Sequence, residues 1–116
     1  MADYKKLIVW QKATNFCIEI YKITKSFPSD EQFGIVSQLR RASVSIPSNI
    51  AEGSKRSTDK SYASFLRVAL GSGAEIETQL YISKELGYIS EKDYFKLIEL
   101  LDEIMKMLSS LIKKVV

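Results

Sequence analysis

Apolar residues recur along this chain at steps of three and four, the spacing that lays a single stripe along a helix. The first stripe is Val9, Ala13, Phe16, Ile20, Ile23 and Phe27, with Trp10, Cys17 and Thr24 beside it. Pro28 restricts the residue before it, so this helix is expected to end near Lys25 or Ser26. A second stripe runs through Phe33, Val36, Leu39, Ser43, Ile46 and Ile50. Ser29 and Gln32 have the spacing of a capping box, with Asp30 and Glu31 suited to the positive end of the helix dipole. Pro47 falls inside this helix, where it removes a backbone donor and crowds the carbonyl of Ser43, so a kink is expected there. Gly53 reads as its stop.

Ser57 or Thr58 is placed to cap a third helix with the face Tyr62, Leu66, Ala69, Gly73, Ile76 and Leu80, broadened by Phe65 and Leu70. Gly87 reads as its C-terminal stop. Ser90 with Asp93 caps a fourth helix. Here Tyr94, Ile98, Leu101, Met105, Leu108, Ile112 and Val115 form one stripe, and Leu97, Ile104 and Leu111 a second. So wide a face exceeds what a lone bundle helix needs. The predicted helices span about 8–26, 30–53, 58–86 and 91–115, and no strand pattern competes. Short connections make neighbours antiparallel. The expectation is an all-α, antiparallel, up-down four-helix bundle forming a single domain over residues 1–116, with its second helix kinked at Pro47.

Composition narrows the chemistry. A chain of 116 residues with 46% apolar and 27% charged content can bury a core unaided. It contains no histidine and one cysteine, Cys17. That removes the commonest general base, the commonest metal ligand and any Ser-His or Cys-His pair. No catalytic residue, metal site, cofactor or small-molecule substrate is expected. Cys17 lies on the apolar side of its helix and reads as buried. With no disulfide framework, no secretory leader and no apolar run of membrane length, a cytoplasmic protein without a membrane partner is expected.

The net charge of +3 is too small to imply nucleic acid by itself. Its distribution says more, because Arg40, Arg41, Lys55, Arg56, Lys60 and Arg67 outnumber the acids Glu52 and Asp59 between residues 32 and 74. These six are the candidate nucleic-acid contacts. The segment Gln38–Gly53 is the least regular, with paired arginines, three serines, Asn49 and Pro47 inside one helix. Two readings stay open. In one the segment is structural, with Ser43 bonding the carbonyl freed by Pro47 and Glu52 pairing with an arginine. In the other Arg40, Arg41 and Asn49 reach a phosphate or a partner. Glu75, Glu52 and Glu77 read as salt-bridge partners of Arg40, Arg41 or Arg67. Gly71-Ser72-Gly73-Ala74 reads as a notch for a packed helix or for an aromatic such as Trp10 or Phe65. No lysine follows to make it a phosphate cradle. Lys113 and Lys114 read as complements to the helix dipole.

Several of these segments together resemble one family. They are Val9-Trp10-Gln11-Lys12-Ala13, Phe27-Pro28, Gln38-Leu39-Arg40-Arg41-Ala42, Ser45-Ile46-Pro47-Ser48-Asn49-Ile50-Ala51-Glu52-Gly53, and Phe65-Leu66 through Ala69, Gly71, Ser72 and Glu75. In order and spacing they resemble the 23S rRNA intervening-sequence proteins. The nine-residue run from Ser45 to Gly53 is the specific part, and Gly73 departs from the pattern, standing where a bulkier residue is usual. The resemblance implies a non-enzymatic four-helix bundle that assembles with itself, commonly as a pentamer. The family is named for genes inside insertions in bacterial large-subunit rRNA. It also implies that Ser45, Pro47, Asn49, Glu52 and Gly53 matter for structure or function. A related branch serves as an accessory to a reverse transcriptase, with a basic ring surface for nucleic acid. Two expectations follow: an RNA- or nucleic-acid-binding homo-oligomer, or a protein-interaction scaffold or accessory subunit that does not touch nucleic acid.

Overall fold

The structure is a computed structural model that describes residues 3–116. Four helices, α1 (Ile8–Thr24), α2 (Ile35–Ser54), α3 (Asp59–Glu85) and α4 (Glu91–Val115), form an antiparallel bundle with extents of 43 × 24 × 20 Å. Each helix packs on its chain neighbour, and α4 closes on α1. There is no strand among the described residues. No helix among them is long and apolar enough to cross a membrane.

The expected stripes build the core. Phe16, Ile20, Leu39, Ile46, Ile50, Leu66, Ile76, Leu80, Leu101 and Leu108 are fully buried. The breadth of α4 is taken up inside the protomer. Leu97, Leu101, Ile104, Leu108 and Ile112 are buried, while Tyr94, Ile98, Met105, Leu111 and Val115 pack half-buried on the same core. A face that looked too wide for one bundle is therefore wedged between α1 and α3.

Helix ends follow local chemistry. Thr58 accepts a hydrogen bond from the Ser61 amide at 3.1 Å, and Ser90 accepts one from the Asp93 amide at 3.1 Å. Gly87 has φ +78°, the left-handed conformation that L side chains resist. The Gly87 amide reaches the Lys84 carbonyl and the Tyr88 amide reaches the Ser83 carbonyl, the paired bonds that close a helix over glycine.

The start of α2 departs from the expectation. Residues Ser29–Glu31 form a 3-10 turn, and α2 begins at Ile35 instead of Asp30. Ser29 caps nothing with its side chain within that turn's first residues. The N-cap residue of α2 is Gly34, and Glu31 accepts from the Ile35 amide at 3.5 Å and from the Tyr88 hydroxyl at 2.7 Å. Phe33, expected on the apolar face, lies in the turn ahead of α2 and is 97% exposed. Helical spacing reached back into residues that do not share the helical frame.

Two further expectations are corrected, and at Gly73 the reading as a packed-helix notch holds against the aromatic one. Gly53 does not end α2, which runs on to Ser54. A Cβ at Gly53 would lie 2.8 Å from Phe65 Cβ and 2.9 Å from Tyr62 Cδ1, so the glycine lets α2 and α3 approach closely. The notch at Gly73 holds the side chain of Met105, whose sulfur would sit 2.9 Å from an added Cβ, and not an aromatic ring. Gly71 faces open space. The Ser43 hydroxyl donates to the Arg40 carbonyl at 2.9 Å and lies 3.4 Å from Cys17 Sγ, so it does not serve the carbonyl freed by Pro47. The helix runs unbroken across Pro47.

Candidate nucleic-acid interface

An up-down bundle of four helices returns both chain ends to the same side as the connection between its second and third helices. Here the segment before α1, the 55–58 turn and the last turn of α4 share one end. Lys55 Nζ lies 5.8 Å from the Tyr4 ring centroid, which ties the first segment to the end of α2. An open groove of about 390 Å³ lined by Lys6, Leu7, Ile8, Val9, Met107, Leu111 and Lys114 ties it to α4.

This end gathers Lys5, Lys6, Lys55, Arg56, Lys60, Lys113 and Lys114, all exposed, against the carboxylates Asp3, Glu52 and Asp59. The rest of the chain carries ten basic residues against eleven acidic ones. Two helix N-termini and two C-termini meet at each end, so the macrodipoles largely cancel and the excess comes from side chains. Among the described residues only Arg56 of the seven has a carboxylate partner, Glu52 at 2.7 Å on the next turn of the chain. Its guanidinium also covers the Phe65 ring at 4.6 Å.

The six residues singled out in the sequence therefore separate. Lys55, Arg56 and Lys60 fall inside the basic end, and Arg67 is exposed two turns further along α3. Arg40 and Arg41 lie apart from it, in the half of α2 near the opposite end. Arg40 is engaged with α1: its Nε donates to Thr24 Oγ1 at 2.9 Å and a terminal nitrogen donates to the Tyr21 carbonyl at 3.4 Å, with the Tyr21 ring 4.8 Å away. Neither arginine is ion-paired with Glu52 or Glu75, contrary to the salt-bridge expectation; nor are Glu75 and Glu77 paired with Arg67. Arg41 and Glu75 instead line an open groove of about 510 Å³ between α2 and α3, with Ser45, Ser72 and Phe33 at its sides.

Lys5 and Lys6 were not candidates in the sequence, and Lys113 and Lys114 read only as dipole partners. The signal that could have found them is topological. An even number of alternating helices returns the chain to its starting end, so the lysines at both ends of the sequence meet the 55–60 cluster.

The Ser45–Gly53 run is turned largely inward. Asn49 Nδ2 donates to the Ser45 carbonyl at 2.8 Å and to Ser45 Oγ at 2.9 Å. Ser72 Oγ on α3 donates to Ser45 Oγ at 2.9 Å. Ile46 and Ile50 are fully buried, and Gly53 holds the crossing with α3. Ser45 and Asn49 thus brace the helix two residues either side of Pro47, where the ladder of backbone bonds lacks a donor.

The family model described as "23S rRNA-intervening sequence protein" matches residues 5–110. The chain belongs to that family. A solved structure of a protein of unknown function from the S23 ribosomal protein family of Bacteroides thetaiotaomicron is similar, with TM-score 0.82 and 28% identity over 91% of this chain and 99% of that one. No protein of curated function matches this chain. Among the described residues no three His, Cys, Asp or Glu side chains converge in a way that could hold a metal ion. The Tyr62 hydroxyl is pushed above its ordinary pKa by burial, and that of Tyr88 by its hydrogen bond to Glu31. Tyr62 packs half-buried on the core, and Tyr88 packs on it with its hydroxyl on Glu31.

Proposed function

We propose that this chain is a non-enzymatic protein that assembles with itself and binds RNA or another nucleic acid through its basic end. The observation that carries the reading is the convergence of seven exposed cations from three separate stretches of chain onto one end of the bundle, six of them without a carboxylate partner. Like charges gathered on one end repel one another. A polyanion relieves that repulsion and releases counterions as it binds. Assembly into a ring would repeat the patch and multiply phosphate contacts from a modest charge per subunit. Membership of a family named for rRNA insertions is in keeping with this reading.

A second reading is a docking scaffold or accessory subunit. The fully exposed Phe33 beside the α2–α3 groove favours it, since a large aromatic held in water is more at home against a protein surface.

Fluorescence anisotropy with a labelled structured RNA across a salt series tests the first reading, with light scattering after size exclusion reporting the assembly present. Binding whose log affinity falls steeply with log salt is expected. The absence of binding at low salt from an intact assembly would leave the scaffold reading in its place.

A further inference from the structure

The basic end of this molecule offers no free aromatic face. The rings at the basic end are already covered. Lys55 lies over Tyr4, whose edge meets Trp10 at 5.5 Å between centroids, and Arg56 lies over Phe65. Tyr62 is half-buried against the core. The exposed aromatics Tyr21, Phe33, Tyr81 and Phe95 all belong to the opposite half. Proteins that hold single strands need both features in one place, a basic groove for the backbone and aromatic faces on which unstacked bases lie.

Building on the nucleic-acid reading, we infer that the basic end takes the phosphate backbone of double-helical nucleic acid and does not stack the bases of a single strand. Lysine ammonium groups are compact point charges suited to phosphates, and six of the seven cations here are lysines. A duplex carries about one charge per 1.7 Å of axis, against about one per 3.4 Å on a single strand. Under a bundle end 20–24 Å across, a duplex therefore presents twice the charge to the same cations. Such a site recognises shape and charge and carries no base sequence.

The test uses the full chain with two probes of equal length, a 24-base-pair RNA duplex and an unstructured oligouridine 24-mer, by anisotropy at several salt concentrations. The duplex is expected to bind at least tenfold tighter. Its log–log salt slope should approach, and not exceed, about −6 per protomer, the value for seven neutralised phosphates. Phe65→Leu and Tyr4→Leu, each checked for folding by circular dichroism, are expected to leave affinity for both probes within about twofold. Equal or tighter binding of oligouridine, weakened by either substitution, would overturn this inference while leaving the nucleic-acid reading standing. No binding of either probe by the folded protein would overturn both.

Discussion

The two ends of the bundle are built from similar numbers of charged residues but balance their signs differently, seven basic against three acidic at one and four against five at the other. At the end formed by residues 22–34 and 84–93, Lys22, Lys25, Lys84 and Lys92 stand against Asp30, Glu31, Glu85, Glu91 and Asp93. Key polar groups there have partners. Lys84 Nζ sits within 4.9 Å of the Tyr81 centroid, 4.8 Å of Tyr94 and 5.9 Å of Phe95, and pairs with Glu85 at 3.3 Å. Glu31 takes bonds from Tyr88 and from α2, and the Tyr88 ring packs on Phe27 at 5.4 Å between centroids. At the other end seven cations face outward and one carboxylate pairs with one of them. Charges that hold a fold together are occupied by the fold. Charges left unoccupied in a group are available to something outside it.

The largest expected effect separates the ends by binding. Lys55→Glu, Lys60→Glu and Lys113→Glu together should weaken RNA binding by on the order of 100-fold, about 3 kcal/mol. The unfolding free energy from urea denaturation should move by no more than about 0.5 kcal/mol, as for surface changes away from packed features. The matching triple Lys22→Glu, Lys25→Glu and Lys92→Glu should leave binding nearly unchanged. Equal losses from both triples would mean that net charge alone matters and would erase the distinction between the ends.

Next in size is Gly53→Ala, beneath the basic end. The new methyl group meets Phe65 Cβ and the Tyr62 ring, so the helices must part, at a cost of about 1–3 kcal/mol read from urea denaturation. At the opposite end, Lys84→Met keeps most of the volume and removes the charge from among three rings. A loss of about 0.5–2 kcal/mol is expected, since the Lys84 side chain is only 15% exposed and salt screens it weakly. An unchanged midpoint would show that the rings hold this end without the cation.

The smallest effect is in alkaline solution. Folding raises the Tyr88 pKa above 10.0, first through the hydrogen bond to Glu31, then through burial and the charges of Glu31 and Asp30. Above about pH 10 the unfolded chain loses this proton first, so the folded state binds more protons and stability falls as pH rises. Tyr88→Phe should flatten part of that fall while leaving its slope below pH 9 unchanged. Thermal melts from pH 8 to pH 11 measure it.

Much of this fold was legible in the residues. The stripes of Val9 to Ile23 and Leu97 to Ile112 report burial because a helix repeats every 3.6 residues, whatever packs against it. The caps Thr58 and Ser90 and the stop at Gly87 are local chemistry within a few residues, and they stand where their types suggested. Phe33 misled because periodicity does not show where a helical frame begins. The turn ahead of that start is held by Glu31 accepting from Tyr88, a residue 57 positions away. Gly53 misled for a related reason. A glycine near a helix end fits a cap, and only the position of Phe65 on α3 shows that it serves a crossing.

The candidate site divides along the same line. The sequence alone determined which residues carry charge, that histidine chemistry is absent, that four amphipathic helices form, and which family they resemble. Tertiary structure decided which charges meet. It bound Arg40 to α1, set Arg41 in a separate groove, and brought Lys5, Lys6, Lys113 and Lys114 to the same end of the bundle as Lys55 and Lys60. Helix formation depends on neighbours three and four residues apart, whereas an electrostatic patch depends on distances between segments a hundred residues apart, which exist only once the bundle has closed.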